Sequence, residues 1–357
     1  MAVNKKKEFK YEQNPKLNKI AGKESVIFDN PPFIIGEASI AGKKEGKGPL
    51  GTYFDEIDED SLFGGKSWED AESRLLNKTT KLAIKKAKLS NSDIRFLVGG
   101  DLLGQLIATS FGVSELEIPL LGVYGACSTM AESMIIASML VDGGYAKKTL
   151  AITSSHFASA EKQFRFPMGY GNQRAPSASW TVTGSGAVII ASEPPSNNSV
   201  KTRIKGATIG KIVDYGLKDN ENMGATMAPA ATMTISRNLK DLNIQPSYYD
   251  KIITGDLGYI GTDILVDLLK QEGFDISNNH MDCGIEIYDK DTQDTHAGGS
   301  GCGCCAITLT AYILKKLKQK EWKRVLFVAT GALLSKISFN EGNTVPGIAH
   351  AVIIEVE

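Results

Sequence analysis

Residues 125–155 read GACSTMAESMIIASMLVDGGYAKKTLAITSS, a glycine-rich turn followed by two apolar segments. Residues 128–141 are apolar on nearly every side, which predicts a buried helix, and residues 149–154 predict a strand. The same order returns at residues 301–332 in GCGCCAITLTAYILKKLKQKEWKRVLFVATGA. When Leu150 is aligned with Leu326, Cys127 falls opposite Gly303. These two stretches predict two βα halves that are related by an internal repeat.

A shorter match supports the repeat. FLVGGDLLG at 96–104 and KIITGDLG at 251–258 each combine an apolar strand with Gly-Asp-Leu and a helical pattern, so Asp101 corresponds to Asp256. Strands and helices alternate along the chain, which predicts an α/β fold with buried strands. We expect three parts: a polar N-terminal tail at 1–30, an N-terminal half at 31–198 and a C-terminal half at 199–357.

The composition is typical of a soluble globular protein. Hydrophobic residues make up 42% of the 357 residues, charged residues make up 23%, and the formal net charge is -1. This near-neutral balance disfavours a dedicated nucleic-acid-binding protein. No apolar run reaches the roughly 18 residues that a membrane-spanning helix needs, so we expect no transmembrane segment and no secretion signal.

The five cysteines predict a reducing compartment, because their number is odd and no export signal accompanies them. Cys302, Cys304 and Cys305 lie close to Cys283 and His280, which raises the hypothesis of a zinc site. The spacing C-x-C-C argues against it, because structural zinc sites commonly use C-x₂-C. We therefore expect no metal, and the lack of a convincing phosphate-binding loop predicts no nucleotide cofactor. Close helix packing explains the small residues better.

Several motifs together resemble the stage V sporulation protein AD family of spore-forming bacteria, a non-condensing branch of the thiolase superfamily. They are GDLLGQ, GACST, TVTGSGAV, MAPAA, TGDLG, AGGSGC and VATGALLS. The resemblance covers nearly the whole chain. It implies a thiolase-like, five-layered αβαβα fold with two pseudo-symmetric halves, in which the two central helices are buried between two sheets.

The resemblance also implies a function and partners. The family is thought to help move dipicolinic acid, a pyridine dicarboxylate, into the developing spore. The implied partners are dipicolinate, with or without calcium, and membrane proteins of the same sporulation assembly. The implied location is the cytoplasmic face of the spore inner membrane, where the chain would be a peripheral component. We also expect a homodimer, paired through the strand near 149–155, since an apolar edge strand needs a cover.

In thiolases the cysteine at the position of Cys127 is acylated, and its catalytic partners come from the second half of the chain. Condensing relatives supply a His and an Asn, or a His and a second Cys. Here Gly255-Asp256 stands where a His would follow the strand, and the expected Asn and second Cys are missing, although His296 fits an H-x-x-G pattern. We therefore predict a protein without thiolase activity, with Cys127 and His296 as vestigial candidates. An active acyl-thioester transferase or hydrolase that uses Cys127, and a structural scaffold without a ligand, remain alternatives.

If the halves pack as in thiolases, both central helices begin at the pseudo-twofold axis and face one cavity. Unpaired N–H groups at two helix N-termini would suit a small dianion such as dipicolinate. His156 follows a predicted strand, and Arg165 lies in a loop with the composition of a binding arm. A structural role for His156 and a subunit contact for that loop are equally open. The ligand-binding candidates are Cys127, Ser128, His156, Arg165, Ser300, Gly301, Cys302 and Asp101.

Overall fold

A computed structural model describes residues 19–164, 174–195 and 200–357. Its strands are β1 Ile20–Ala21, β2 Ser25–Ile27, β3 Phe33–Gly42, β4 Glu56–Asp58, β5 Phe96–Gly100, β6 Leu120–Gly122, β7 Lys148–Ser155, β8 Trp180–Thr181, β9 Gly184–Ala191, β10 Thr202–Thr208, β11 Lys251–Thr254, β12 His280–Asp282, β13 Gly299–Ser300, β14 Arg324–Ala332 and β15 Gly347–Val356. Its helices are α1 Lys43–Gly46, α2 Trp68–Lys86, α3 Ile107–Val113, α4 Thr129–Asp142, α5 Phe157–Phe164, α6 Met223–Leu242, α7 Gly258–Gln271, α8 Cys283–Glu286, α9 Cys302–Thr308, α10 Leu314–Lys318 and α11 Lys336–Asn340.

The two halves repeat one sheet topology. In the N-terminal half the strand order is β3-β9-β7-β5-β6, and in the C-terminal half it is β10-β15-β14-β11-β12. A short antiparallel pairing of β3 with β10 joins the two half-sheets. In both half-sheets the first two pairings are antiparallel and the next two are parallel. Even the irregularities match, because β3 has a register shift between Ile34 and Gly36 and β10 has one between Ile204 and Gly206. The predicted pseudo-symmetric halves are confirmed.

Helices and sheets form five layers. α2 packs on the outer face of the N-terminal sheet, and α6 packs on the outer face of the C-terminal sheet. Between the sheets lie α4 and the continuous helix formed by α9, a π-helical turn and α10. Every residue of α9 is buried, as are most residues of α4. A helix covered on all sides must be apolar all round, which explains why the sequence of α4 lacks a polar face.

The start of α9 lies directly on strands of the N-terminal sheet. A Cβ atom at Gly303 would be 2.5 Å from the carbonyl oxygen of Gly184 and 2.5 Å from Oγ of Ser155. The glycine-rich stretch therefore permits a close approach, as its composition predicts. The approach is to the backbone of β7 and β9, whereas the sequence suggested the other central helix.

The edge strand and the N-terminal segment differ from what the sequence predicted. β7 pairs with β9 on one side and β5 on the other, so the predicted dimer contact through residues 149–155 is wrong. The apolar sequence of β7 reflects its central position in the sheet, and the edge strand is β6. Within the segment 1–30, residues 19–30 are described, and their strand β2 pairs with β10.

Candidate functional site

Cys127 lies in a tight turn between β6 and α4. Ala126 adopts a left-handed conformation with φ of 51°, which is uncommon for a residue that has a side chain. Two hydroxyl groups hold the turn, since Oγ of Ser128 donates to the Gly125 carbonyl at 2.7 Å and Oγ1 of Thr129 donates to the Ala126 carbonyl at 2.6 Å. The turn thus fixes a buried thiol at the start of the first central helix, and Ser128 serves the turn.

The side chain that faces Cys127 from the second half is Asp256. The two side chains are hydrogen-bonded to each other. Asp256 also accepts hydrogen bonds from Oγ1 of Thr330 at 2.7 Å, from the Gly301 N–H at 2.9 Å and from Oγ of Ser300 at 3.2 Å. Its partners therefore come from two separate segments of the C-terminal half, the end of β14 and the start of α9, and they hold the carboxyl group at the pseudo-twofold axis.

Burial is the main cause of the pKa shifts of Asp256 and Cys127. It raises the pKa of Asp256 to about 6, although the hydrogen bonds from Thr330, Gly301 and Cys127 favour the carboxylate. Burial also raises the pKa of the Cys127 thiol well above its usual value, and the negative charge of Asp256 raises it further. The thiol therefore keeps its proton at neutral pH.

Two N–H groups at the start of α9 already have protein acceptors. Gly301 donates to Asp256, and the Gly303 N–H donates to Oγ of Ser155 at 3.0 Å. A dianion at this helix end would therefore compete with the Asp256 carboxylate for the same donor. The sequence predicted a pocket formed by two helix N-termini with free N–H groups. That prediction did not include Asp256, which already accepts from the Gly301 N–H.

A second group of buried acids lies near Cys302. Sγ of Cys302 donates to the Ser154 carbonyl at 2.9 Å, and its side chain packs against Cys127. Asp101 is turned to its own loop, where it accepts from the Leu103 N–H at 2.8 Å and the Thr109 N–H at 2.7 Å. Glu72 of α2 accepts from Ser154 at 3.0 Å. Burial raises the pKa of Glu72 to about 8, with a contribution from the charge of Asp101.

Two sequence candidates, His156 and His296, lie elsewhere. His156 binds the Ser61 carbonyl through Nε2 at 2.8 Å and stacks on Trp68, and burial lowers its pKa. His296 contacts the Ala175 carbonyl at 2.8 Å and Asp294 at 3.2 Å, and within the described ranges it makes no contact with Cys127. Arg165 lies outside the described residues. The structure thus brings together Cys127, Ser300, Gly301 and Cys302, and leaves both histidines apart from them.

An open cavity of about 380 Å³ leads toward Cys127, and we call it the Cys127 vestibule. Leu102 and Phe164 contribute to its wall and also pack in the cluster that contains Cys127. Its lining residues are Leu102, Leu103, Gly104, Gln105, Leu106, Tyr124, Gln163, Phe164, Leu333, Leu334, Ser335, Lys336 and Ile337. The lining of the vestibule is mostly apolar.

Sequence reasoning missed Asp256 and Glu72 as site residues. The repeated Gly-Asp-Leu motif could have identified Asp256, because it stands where a catalytic histidine was expected. Nothing in the sequence around Glu72 marks it, since it lies within an ordinary amphipathic helix. In the described ranges all five cysteines are free, and no group of three or more His, Cys, Asp or Glu side chains could hold a metal ion.

None of the helices in the described part of the chain is long and apolar enough to cross a membrane. Comparison with solved structures gives thiolase-fold neighbours. 3-Oxoacyl-[acyl-carrier-protein] synthase III from Aquifex aeolicus is 12% identical, with a TM-score of 0.53, over 91% of this chain and 99% of that protein. Cerulenin-bound OleA from Xanthomonas campestris is 16% identical, with a TM-score of 0.57, over 92% and 97%. At these identities the likeness shows the fold alone.

Sequence comparison is more specific. The family model described as stage V sporulation protein AD matches residues 22–355. The stage V sporulation protein AD of Bacillus subtilis is 44% identical over 337 residues, which are 94% of this chain and 98% of that protein. The chain therefore belongs to the stage V sporulation protein AD family, on a thiolase-like fold, and its family name places it in bacterial sporulation.

Proposed function

We propose that this chain binds dipicolinate, pyridine-2,6-dicarboxylate, without covalent catalysis, and takes part in its uptake into the developing spore. The observation that carries the proposal is the Asp256 carboxyl group beside Cys127. A nucleophilic cysteine needs a neighbour that stabilises its thiolate, and a buried acid does the opposite. The site is therefore better suited to holding a ligand than to acyl transfer.

The Cys127 vestibule suits one aromatic ring. Its volume of about 380 Å³ lies within the range of small-molecule sites. Leu102, Tyr124, Phe164 and Leu333 offer apolar and aromatic surface to the faces of a pyridine ring. The ligand's carboxyl groups would then point inward, toward Asp256 and Cys127, or outward to solvent.

The buried acids decide which form of the ligand fits. An ionised Asp256 repels a dianion, whereas a protonated Asp256 can donate a hydrogen bond to it. With a pKa of about 6, Asp256 becomes protonated in mildly acidic solution. A one-to-one complex of dipicolinate with Ca²⁺ has no net charge and avoids the repulsion. We therefore propose that dipicolinate binds as its calcium complex, or as the dianion when Asp256 holds a proton.

The same proposal includes an assembly. We place the chain on the cytoplasmic face of the spore inner membrane, as a peripheral partner of membrane proteins of its sporulation assembly. We also propose a homodimer through the exposed edge of β6, in place of β7. Leu121 and Tyr124 are 42% and 44% exposed at this edge, and an apolar edge of this kind favours a cover. Light scattering at micromolar concentration should give the mass of a dimer, and a monomer would contradict this part.

Titration calorimetry tests the ligand assignment. Wild-type protein should bind dipicolinate more tightly than the monocarboxylate picolinate, with and without Ca²⁺. Leu333→Tyr narrows the vestibule and should weaken binding at least tenfold, by steric block. The matched control is Ile212→Tyr, because Ile212 is 63% exposed and lies outside the vestibule lining. Equal binding by both variants would contradict the proposed site, and no binding by folded wild-type protein would favour the scaffold alternative.

A further inference from the structure

A second and larger cavity lies beside α5 and has no lining residue in common with the Cys127 vestibule. Its volume is about 790 Å³, and we call it the Trp180 cavity. Phe157 and Ala158, at the beginning of α5, line this cavity, whereas Gln163 and Phe164, at its end, line the vestibule. The two cavities are therefore distinct, with α5 between them.

One wall of the Trp180 cavity is aromatic and rigid. The rings of Phe157 and Trp180 stack with centroids 3.9 Å apart and planes 7° apart. The ring of His156 stacks against Trp68, with centroids 5.7 Å apart, and both residues also line the cavity. Two of the three tryptophans of the chain thus face one cavity. The cations of Lys44 and Arg174 lie over the Trp180 ring, 4.2 Å and 4.6 Å from its centroid, so a planar ligand that stacks on this ring takes the place of Lys44.

The same cavity carries positive charge. Lys43, Lys44 and Lys47 line it, and Nζ of Lys44 lies 4.2 Å from the centroid of the Trp180 ring. Lys44 donates to the carbonyl of Gln293 at 2.6 Å, which is a neutral acceptor. Among the residues that the structure describes, Lys44 and Lys47 have no carboxylate within ion-pair distance. The hydrogen-bond acceptor of this partly buried ammonium group is neutral, although the charges of Glu45 and Asp294 also act on it, and such a group is well placed to bind an anion.

Two acids in the lining, Glu45 and Asp294, act on the charge of Lys44, but within the described residues neither forms an ion pair with it. The Glu45 carboxyl group is turned into the protein, where it binds Tyr288 and accepts from the Thr183 N–H at 3.0 Å. Burial raises the pKa of Glu45, which favours its neutral form. Asp294 lies at the exposed rim and is within 3.6 Å of Arg174 and 3.2 Å of His296. The inner part of the cavity therefore presents Lys44 and the aromatic wall.

We propose that the Trp180 cavity is a second ligand-binding site, which takes a small planar aromatic carboxylate. The ring of the ligand would lie against the Phe157–Trp180 wall, and its carboxylate would bind Lys44. Neither group alone specifies this class, but an aromatic wall and an ammonium group in one cavity do. The inference concerns a different cavity from the proposed function, but dipicolinate itself belongs to this class of ligand, so variants in both cavities are needed to tell the two sites apart.

Tryptophan fluorescence tests the proposal, since Trp68 and Trp180 line the cavity and Trp322 packs elsewhere, against Tyr312. In a Trp322→Phe background, the remaining emission comes from the cavity. Isophthalate should change it in a saturable way, and benzoate should do so at higher concentration. Cyclohexane-1,3-dicarboxylate, which has the same charges without a planar ring, should bind at least tenfold more weakly. Saturation by none of these three ligands would overturn the proposal.

Charge variants locate the bound ligand. Lys44→Met keeps the length of the side chain and should weaken isophthalate binding roughly tenfold or more, since it removes a charge-assisted hydrogen bond. The matched control is Lys315→Met, because Nζ of Lys315 also lies over a ring, 4.6 Å from that of Tyr53, but outside the cavity. Equal binding by the two variants would overturn the proposal.

A vestibule variant separates the two sites. Leu333→Tyr should leave isophthalate binding in the Trp180 cavity unchanged, because Leu333 lines the other cavity. If Leu333→Tyr removes the fluorescence change and Lys44→Met does not, isophthalate binds in the vestibule. That result would contradict the second site while it supports the proposed function.

Discussion

Asp101 and Asp256 occupy the same position in the two halves, after β5 and β11, but their hydrogen-bond partners differ. Asp101 accepts from Leu103 and Thr109 of its own loop. Asp256 accepts from Ser300, Gly301 and Thr330, and its carboxyl group meets Cys127 of the other half. The duplicated motif thus supports a loop in one half and forms the centre of the candidate site in the other.

This difference shows how a symmetric fold acquires one site. The repeated strands and helices bring both motifs to the carboxyl ends of parallel strands, where α/β folds build their sites. Only the C-terminal half then adds the glycine-rich start of α9, which supplies the Gly301 N–H to Asp256. The asymmetry lies in a few residues at the axis, while the sheets remain equivalent.

The largest effect should come from the glycines that begin the two central segments, Gly125 and Gly301. Gly301 has φ of 101°, and a Cβ atom there would be 2.7 Å from Oγ of Ser155. We expect Gly301→Ala to lower the free energy of unfolding by roughly 3 kcal/mol or more, through strain and overlap. Gly125→Ala should cost about 1 kcal/mol, because the nearest atoms are ends of the Ser128 and Glu132 side chains. Urea unfolding measures the free energy of unfolding of both variants. Equal destabilisation by the two substitutions would contradict the proposed difference between the two helix starts.

The acids of the N-terminal half should control how stability depends on pH. Folding raises the pKa of Glu72 to about 8, so the folded state holds this proton more tightly than the unfolded state. The stability that results is complete below about pH 4.5 and is lost as the pH rises toward 8. Wild-type protein should therefore lose stability between pH 5.5 and pH 8.5, whereas Glu72→Gln should not. The difference in free energy of unfolding, variant minus wild type, should rise by about 1 kcal/mol or more between these two pH values.

The control for Glu72 is Glu115→Gln, since Glu115 is a largely exposed carboxylate paired with Lys81. Thermal unfolding of the three proteins at both pH values is the measurement. Parallel pH dependence in wild type and Glu72→Gln would show that Glu72 titrates normally.

Fold and site could be predicted to different extents. The two halves and the buried central helices followed from hydrophobic pattern and repetition, because these properties reside in contiguous segments. The edge strand was misassigned because apolar β7 is covered by neighbouring strands, whereas β6, half-exposed in IPLLG, gives a weaker pattern. The pairing of Asp256 with Cys127 depends on residues far apart in sequence, and no local pattern encodes it.

A smaller effect should distinguish the two equivalent aspartates in ligand binding. Wild-type protein should bind dipicolinate dianion several-fold more tightly at pH 5.5 than at pH 7.5, because Asp256 gains its proton near pH 6. Asp256→Asn should remove most of this dependence, and Asp101→Asn should preserve it. Calorimetry without Ca²⁺ at both pH values provides the test. If Asp101→Asn removes the dependence and Asp256→Asn does not, the roles of the two loops are reversed.

The smallest effect concerns the sulfur itself. Cys127→Ala should weaken dipicolinate binding by about 1 kcal/mol or less, since only packing is lost. Cys305→Ala serves as the control, because Cys305 is buried and contacts the Cys127 carbonyl from α9. A hundredfold loss of affinity in Cys127→Ala alone would mean that the thiol contacts the ligand directly and strongly.

The central claim is that burial, together with the neighbouring Asp256, keeps Cys127 protonated, so that the chain binds its ligand and does not form an acyl-enzyme. Incubation of folded protein with acetyl-coenzyme A at pH 7.5, followed by intact-mass measurement, tests it most directly. We expect wild-type protein to keep its unmodified mass under conditions that acylate a thiolase-fold condensing enzyme. A gain of one acetyl group that disappears in Cys127→Ala would contradict the claim and identify an acyl-thioester enzyme.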